Sequence, residues 1–174
     1  MRKEGLVNRL VGQGAFACVY STPNPKEVLK LTTCKANVEY MMAAQTFVRQ
    51  GDRHFPLLVR YGGVVGYDSD ENSDIHALWV ERLKPVRINN LRAYELLQRL
   101  EEVNSVSELR DLAKEGKRLF GLSRTMSLAL HRTCDILEMM GGDNDVTVDF
   151  HDANFMMRPG TRELVIVDPI TAEF

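Results

Sequence analysis

The chain has 174 residues, 44% of them apolar and 26% charged, which fits an ordinary globular domain and not a disordered, collagen-like or coiled-coil one. Twenty-two Lys and Arg against 24 Asp and Glu leave a net charge of −2, which excludes a general polyanion binder; no direct nucleic-acid binding is expected beyond a local basic groove. No run approaches about 20 apolar residues, so no membrane span is expected. Met1-Arg2-Lys3-Glu4-Gly5 is followed by no apolar run of the kind a signal peptide needs. The length suits one domain, or two small lobes sharing a core. Cys18, Cys34 and Cys134 are odd in number and form no C-x-x-C pair. Reduced, mostly buried thiols of a cytoplasmic protein are expected, without a disulfide framework or structural zinc site.

In chain order, Val7 to Val11 is apolar-rich and is broken by Gly12-Gln13-Gly14. Ala17 to Tyr20 resumes an extended pattern. Pro23-Asn24-Pro25 must turn, because each proline fixes φ and disfavours helix at the residue before it. Val28-Leu29-Lys30-Leu31 then returns as a strand. Val38, Met41, Met42, Gln45 and Val48 recur at helical spacing and predict a helix over residues 36–50 that ends near Gly51. Leu57 to Gly66 and Ile75 to Leu83 read as paired strands. The acidic connection Asp68 to Asp74 between them lacks the ligand spacing, the Gly and the closing Glu of an EF-hand loop.

Pro85 introduces a helical half. Asn90 suits the N-cap of a helix from Leu91 to about Val103. Ser105-Val106-Ser107-Glu108 has capping-box spacing and starts a helix towards Phe120. Ser123 suits the cap of a third helix, with Met126, Leu130, Thr133, Leu137 and Met140 on one face and Gly141-Gly142 at its end. Asn154 to Met157 and Leu164 to Val167 are extended, with Pro159-Gly160 as the turn between them.

Three segments carry chemistry. In Val11-Gly12-Gln13-Gly14-Ala15-Phe16-Ala17-Cys18-Val19, two glycines one apart let a backbone turn approach a ligand closely, with its N–H groups over phosphates. Read as G-x-G-x-x-G-x-V, the third glycine is Ala17. A plain β-turn fits the same residues. In the second segment, strand alternation places Val28 and Lys30 on one face. Lys30 is either a solvated edge-strand lysine or an inward one that needs an anionic partner, phosphate or carboxylate. Glu39 is the one acidic residue between Lys30 and Gly51.

The third segment is Asp149-Phe150-His151-Asp152-Ala153-Asn154, followed by Val165-Ile166-Val167-Asp168-Pro169. Phosphoryl transfer needs a carboxylate to orient and deprotonate a hydroxyl, and an amide and a second carboxylate on the metal. Asp149, Asn154 and Asp168 supply these in that order. A polar loop with Asp168 capping a turn is the competing reading. His151 has no second His or Cys near it in sequence and reads as a structural, hydrogen-bonded histidine. Asp152 reads as a loop charge or an extra acid near the metal. Trp79 and Met41-Met42 read as core.

Together these segments resemble the protein-kinase-like fold: Gly-rich loop, strand lysine, helix glutamate, hinge, helices, D-x-x-x-x-N loop, hairpin and metal aspartate. Asp149 to Asn154 looks more like the compact D-L-H-x-x-N loop of aminoglycoside and choline kinase relatives than like H-R-D-x-x-x-x-N. Thr147 stands where the protein-kinase histidine would be. The chain is also similar to the early serine/threonine protein kinases of T-seven-like bacteriophages. The similarity lies in Gly12 to Ala17 with Tyr20-Ser21 after it, Val28-Leu29-Lys30, Asp149 to Asn154, and Asp168-Pro169. It spans about residues 8–172.

The resemblance implies an α+β, minimal bilobal fold. Residues 1–83 would form an antiparallel β-sheet lobe with one helix, and residues 84–174 a reduced helical lobe with a catalytic β-hairpin. ATP and Mg²⁺ are the implied cofactors. Gly12 and Gly14 would cover the phosphates, Lys30 would contact them and pair with Glu39, and the backbone of Glu81 to Leu83 would meet the adenine. Asp149 would be the catalytic carboxylate, and Asn154 and Asp168 would hold Mg²⁺. Host bacterial proteins would be the substrates or targets, in the host cytoplasm.

Two departures from the family pattern matter. Six residues, Pro169 to Phe174, follow Asp168 here, which leaves no room for an activation segment or later helices. So short a helical lobe would leave apolar surface exposed, which a homodimer would cover. Pro169 replaces the Phe of D-F-G, and its fixed φ should hold Asp168 in one setting. Three functions therefore compete: a Mg-ATP-dependent serine/threonine protein kinase, a catalytically weak kinase-fold protein that grips and inhibits a host enzyme, and a small-molecule kinase.

Overall fold

The computed structural model describes residues 9–86, 91–141, 147–161 and 163–171. β1 (Leu10–Gln13), β2 (Ala17–Ser21), β3 (Glu27–Thr32), β4 (Leu58–Asp68) and β5 (Ser73–Glu81) form an antiparallel sheet in the order β1-β2-β3-β5-β4. Two connections are short turns fixed by local chemistry. Asn24 Oδ1 accepts the Lys26 N–H at 3.0 Å between the two prolines. Asp68 Oδ1 accepts the N–H groups of Asp70 and Glu71, and Asn72 takes a φ of 52°. The acidic connection is therefore a tight hairpin turn, shorter than the loop the sequence suggested.

The first strand also differs from expectation. Val7 and Asn8 lie outside the described residues. Gly12 sits within β1, which carries a register shift between Leu10 and Gly12. The turn itself begins at Gly14, whose N–H donates to the Ala17 carbonyl at 2.8 Å.

β4 is an edge strand, and Val59, Tyr61, Val64, Val65 and Tyr67 are exposed along it. Three register shifts against β5 twist it. At one of them a Cβ on Gly62 would lie 2.7 Å from Trp79 Cζ3, so only glycine fits beneath the indole. The Arg60 guanidinium lies over that ring, 3.7 Å from its centroid.

α1 (Lys35–Arg49) buries Tyr40, Met41 and Ala44. Met42, expected in the core, is 47% exposed; the buried arc of the helix runs through Tyr40 instead. α2 (Leu91–Leu100) ends before Val103. Its expected cap, Asn90, lies outside the described residues, as does Gly142. α3 (Val106–Phe120) starts with Ser105 Oγ accepting the Glu108 N–H at 3.2 Å. Glu108 Oε2 reaches back to the Asn104 N–H at 2.8 Å, one residue earlier than a standard capping box. α4 (Arg124–Met139) starts with Ser123 Oγ accepting the Met126 N–H at 3.1 Å. It buries Met126, Leu130, Thr133 and Leu137 as the periodicity predicts, together with Ala129, Cys134 and Ile136.

The remaining strands are short. β6 (Lys84–Pro85), β8 (Phe155–Met157) and β9 (Leu164–Ile166) form a sheet in the order β6-β8-β9. β7 (Thr147–Val148) pairs antiparallel with β10 (Ile170–Thr171). Gly160, φ 87°, lies in the turn between β8 and β9. Of the three free thiols only Cys134 is buried, and burial pushes its pKa up to about 12.

The chain divides into two compact units. One gathers the chain up to Val38 with Leu57–Arg82, the other Glu39–Pro56 with the chain from Leu83 onward. Most of α1 and the segment after it thus belong with the helices, whereas a single boundary at residue 83 would place them with the sheet. Among the described residues, no helix is long and apolar enough to cross a membrane.

Candidate phosphoryl-transfer site

In the first unit the ladder fixes which residues share a face. Val19 lies opposite Gly12 on one side and Lys30 on the other, and Lys30 lies opposite Leu78. Directly paired residues point to the same face, so Gly12, Val19, Lys30 and Leu78 form one row across the sheet. Leu78 in this row is fully buried. β3 is the central strand, which rules out the edge-strand reading of Lys30. Its Nζ donates to Asn37 Oδ1 at 2.7 Å, and Asn37 is fully buried. Asn37 is a residue the sequence reading missed; nothing in the sequence marks an amide in the first turn of α1 as a lysine partner.

The Gly-rich turn is anchored to the end of β3. The Phe16 carbonyl accepts from Thr32 Oγ1 at 2.9 Å and from the Thr33 N–H at 3.0 Å. These bonds fix the turn that contains Gly14 relative to the strand that carries Lys30. Glu81 Oε1 accepts the Leu57 N–H at 2.8 Å, while Leu83 is half-buried. Glu39 is exposed on α1.

In the second unit three hydrogen bonds, one from a side chain and two between backbone groups, gather the third segment. Asn154 Nδ2 donates to the Asp149 carbonyl at 2.9 Å. The Asp149 N–H donates to the Pro169 carbonyl at 2.9 Å, and the Val167 N–H donates to the Asn154 carbonyl at 2.9 Å. Asp168 lies between the last two partners in sequence. Asp149, Asn154 and Asp168 are thus brought together by two short ladders and a single 3₁₀ turn, Asp152–Asn154. Asn154 is 9% exposed; Asp149 and Asp168 are half-buried.

His151 is hydrogen-bonded, as the sequence suggested. Its Nδ1 accepts the Ala153 N–H at 3.2 Å, and its Nε2 lies 3.5 Å from Asp149 Oδ2. Asp152 is exposed.

The hairpin that ends in Asp168 is held by residues no motif pointed to. The Ile166 N–H donates to the His54 carbonyl at 2.8 Å. His54 Nδ1 lies 2.8 Å from the Leu164 carbonyl, which can only accept, so Nδ1 carries a proton and, in the neutral ring, Nε2 accepts from Thr125 Oγ1 at 3.1 Å. Arg158 donates to the carbonyls of Arg53 and Phe55, and Glu163 meets Arg53 at 3.0 Å and Arg158 at 3.3 Å. Burial alone would raise the Glu163 pKa. Hydrogen bonds from Thr161 and Arg158 and the charges of Arg53 and Arg158 outweigh it, and the net shift is downward. Asp52, whose side chain is four per cent exposed, accepts from Arg132 at 2.6 Å, and that guanidinium also lies over Phe47.

Tyr40, on α1, is fully buried. Burial pushes its pKa up, and the carboxylates of Asp168 and Asp52 add to the shift, so the hydroxyl stays protonated.

Among the described residues, no group of three or more His, Cys, Asp and Glu side chains could hold a metal by itself. One carboxylate and one amide oxygen suit Mg²⁺ better than a dedicated cage would, since Mg²⁺ is usually held by one or two carboxylates with substrate phosphates and water completing its shell. The sequence matches no protein-family model and no curated protein.

Proposed function

We propose that the chain is a Mg-ATP-dependent phosphotransferase, a serine/threonine protein kinase of the phage type that modifies host proteins. The carrying observation is the Asn154 side-chain bond to the Asp149 carbonyl, together with the bonds that tie Asp149 and Asn154 to the residues on either side of Asp168. A carboxylate, an amide and a second carboxylate separated by up to 19 positions in sequence are tied together by one side-chain and two backbone hydrogen bonds, as a reaction with little covalent chemistry and strict positioning requires. The strand order β1-β2-β3-β5-β4, the helix after the lysine strand and the β8–β9 hairpin before Asp168 support the same reading.

In this reading Asp149 accepts the acceptor hydroxyl's proton. Asn154 and Asp168 hold Mg²⁺, which neutralises charge on the phosphates when bound. Lys30, held by Asn37, contacts the phosphates, and the anchored turn at Gly12 and Gly14 covers them. The test is transfer from γ-labelled ATP with Mg²⁺, for the native chain and Asp149→Asn, each alone and in a bacterial lysate. Labelled proteins that vanish with Asp149→Asn support the reading. No label from the native chain, with Mg-ATP still raising its melting temperature, would reject catalysis and leave a nucleotide-binding protein.

A further inference from the structure

Thr32 stands two positions after Lys30 on β3, so the two side chains share one face of the sheet. Its partner across the ladder is Ala17, whose carbonyl accepts the Gly14 N–H that closes the Gly-rich turn. Thr32 is 2% exposed, and its hydroxyl is used in both directions. Oγ1 donates to the Phe16 carbonyl at 2.9 Å and accepts the Cys34 N–H at 3.1 Å. Cys34 immediately precedes α1, and its Sγ accepts the Asn37 N–H at 3.4 Å. Asn37 Oδ1 in turn takes the Lys30 ammonium at 2.7 Å. One buried hydroxyl therefore joins the turn to the start of the helix that carries an acceptor for the lysine.

We propose that Thr32 is a positioning residue that couples the Gly-rich turn to the start of α1, so that the turn and Lys30 engage the nucleotide phosphates as one unit. The role rests on the kinase reading above. It holds whatever further groups Lys30 and Asn37 meet, because Thr32 acts on the backbone where α1 begins. Without the hydroxyl the Phe16 carbonyl keeps the Thr33 N–H at 3.0 Å, so the turn stays closed while its link to Cys34 is cut. The phosphates are held in the bound nucleotide and in the transition state alike. An interaction common to both states affects KM and leaves kcat nearly unchanged.

The experiment measures kcat and KM for ATP with γ-labelled ATP, Mg²⁺ and the lysate protein most strongly labelled by the native chain. Thr32→Val keeps the shape and loses the hydroxyl, whereas Thr32→Ser keeps the hydroxyl and loses a buried methyl, so both should lower the melting temperature. Gly62→Ala strains the same sheet away from the turn. Thr32→Val should raise KM about five- to twentyfold with kcat within about threefold, and the other two variants should keep KM within about twofold. A Thr32→Val KM within about twofold of native, or a KM that follows melting temperature across all three variants, overturns the role and leaves the kinase reading intact. Amide exchange on the native chain decides the matter if Thr32→Val does not fold. Mg-ATP should slow exchange at least about threefold at Gly14 and Cys34 together, and leave Asp70 in the β4–β5 turn unchanged. Protection at Gly14 without Cys34, at Asp70 as well, or at none of them overturns the role. A native chain that transfers no phosphate overturns both readings, and that result is read before any variant is compared.

Discussion

Asn154 Nδ2 donates to the backbone carbonyl of Asp149 at 2.9 Å, so the side chain proposed to hold the metal also fixes the loop that carries the proposed catalytic carboxylate. Asn154→Ala removes both functions, and Asn154→Asp removes the donor but keeps an oxygen. Both should reduce phosphate transfer by at least about a hundredfold. Asn154→Ala should also cost about 1–3 kcal/mol, because the Asp149 carbonyl loses a partner at a mostly buried position. Labelled transfer and urea unfolding of the same preparations check the two effects separately.

Gly62 should not tolerate a side chain. A Cβ there would meet Trp79 Cζ3 at 2.7 Å and Ala77 Cβ at 3.3 Å. Moving the indole would also disturb the Arg60 guanidinium stacked over it. Gly62→Ala should therefore destabilise by about 1–3 kcal/mol, read as a lower midpoint of urea unfolding. Gly66→Ala is the control, since its Cβ would meet only Ile75, at ordinary contact distance from 3.5 Å outward.

The Arg132–Asp52 pair is a buried one, with side chains 19% and 4% exposed. Arg132→Met keeps the contact with Phe47 but strands the Asp52 carboxylate away from water. The expected loss is about 3–5 kcal/mol, much more than a surface pair would show. Arg132→Met combined with Asp52→Asn should recover part of it. Equilibrium unfolding of the two single variants and the double variant gives the coupling.

The Glu163 cluster predicts an acid limit to the hairpin. Its folded pKa lies below the ordinary value of 4.5, so the folded state binds the proton less readily than the unfolded chain. The stabilisation is complete above the unfolded value and is lost as pH falls through the folded one. Glu163→Gln should lower stability at neutral pH and flatten its dependence on pH below about 4.5. Melting temperatures of native and variant across pH 3–7, at fixed ionic strength, should converge at the acid end.

Much of this arrangement is legible in the amino-acid order because it depends on local rules. Prolines 23 and 25, the Ser105 and Ser123 caps and the period of α4 are short-range signals, and the elements form where those residues stand. Asp149, Asn154 and Asp168 could be singled out because few other roles suit a carboxylate–amide–carboxylate order between apolar strands. Met42 failed as a core residue for a related reason. Period alone gives a broad arc, and only packing decides which edge of that arc is covered.

The sequence by itself pointed to the longer elements and the α+β class, and it singled out Asp149, Asn154 and Asp168 as candidates. Only the tertiary structure decided that Lys30 stands on a central strand, because strand order is set by which edges pair and no single segment encodes that. It likewise decided that Asn37 takes the ammonium, that Thr32 pins the Gly-rich turn, and that Asp52 to Phe55, Arg132 and Arg158 build the frame behind Asp168. The partners of that frame come from segments 80 to 110 positions apart, and proximity at that separation comes from the folded chain alone.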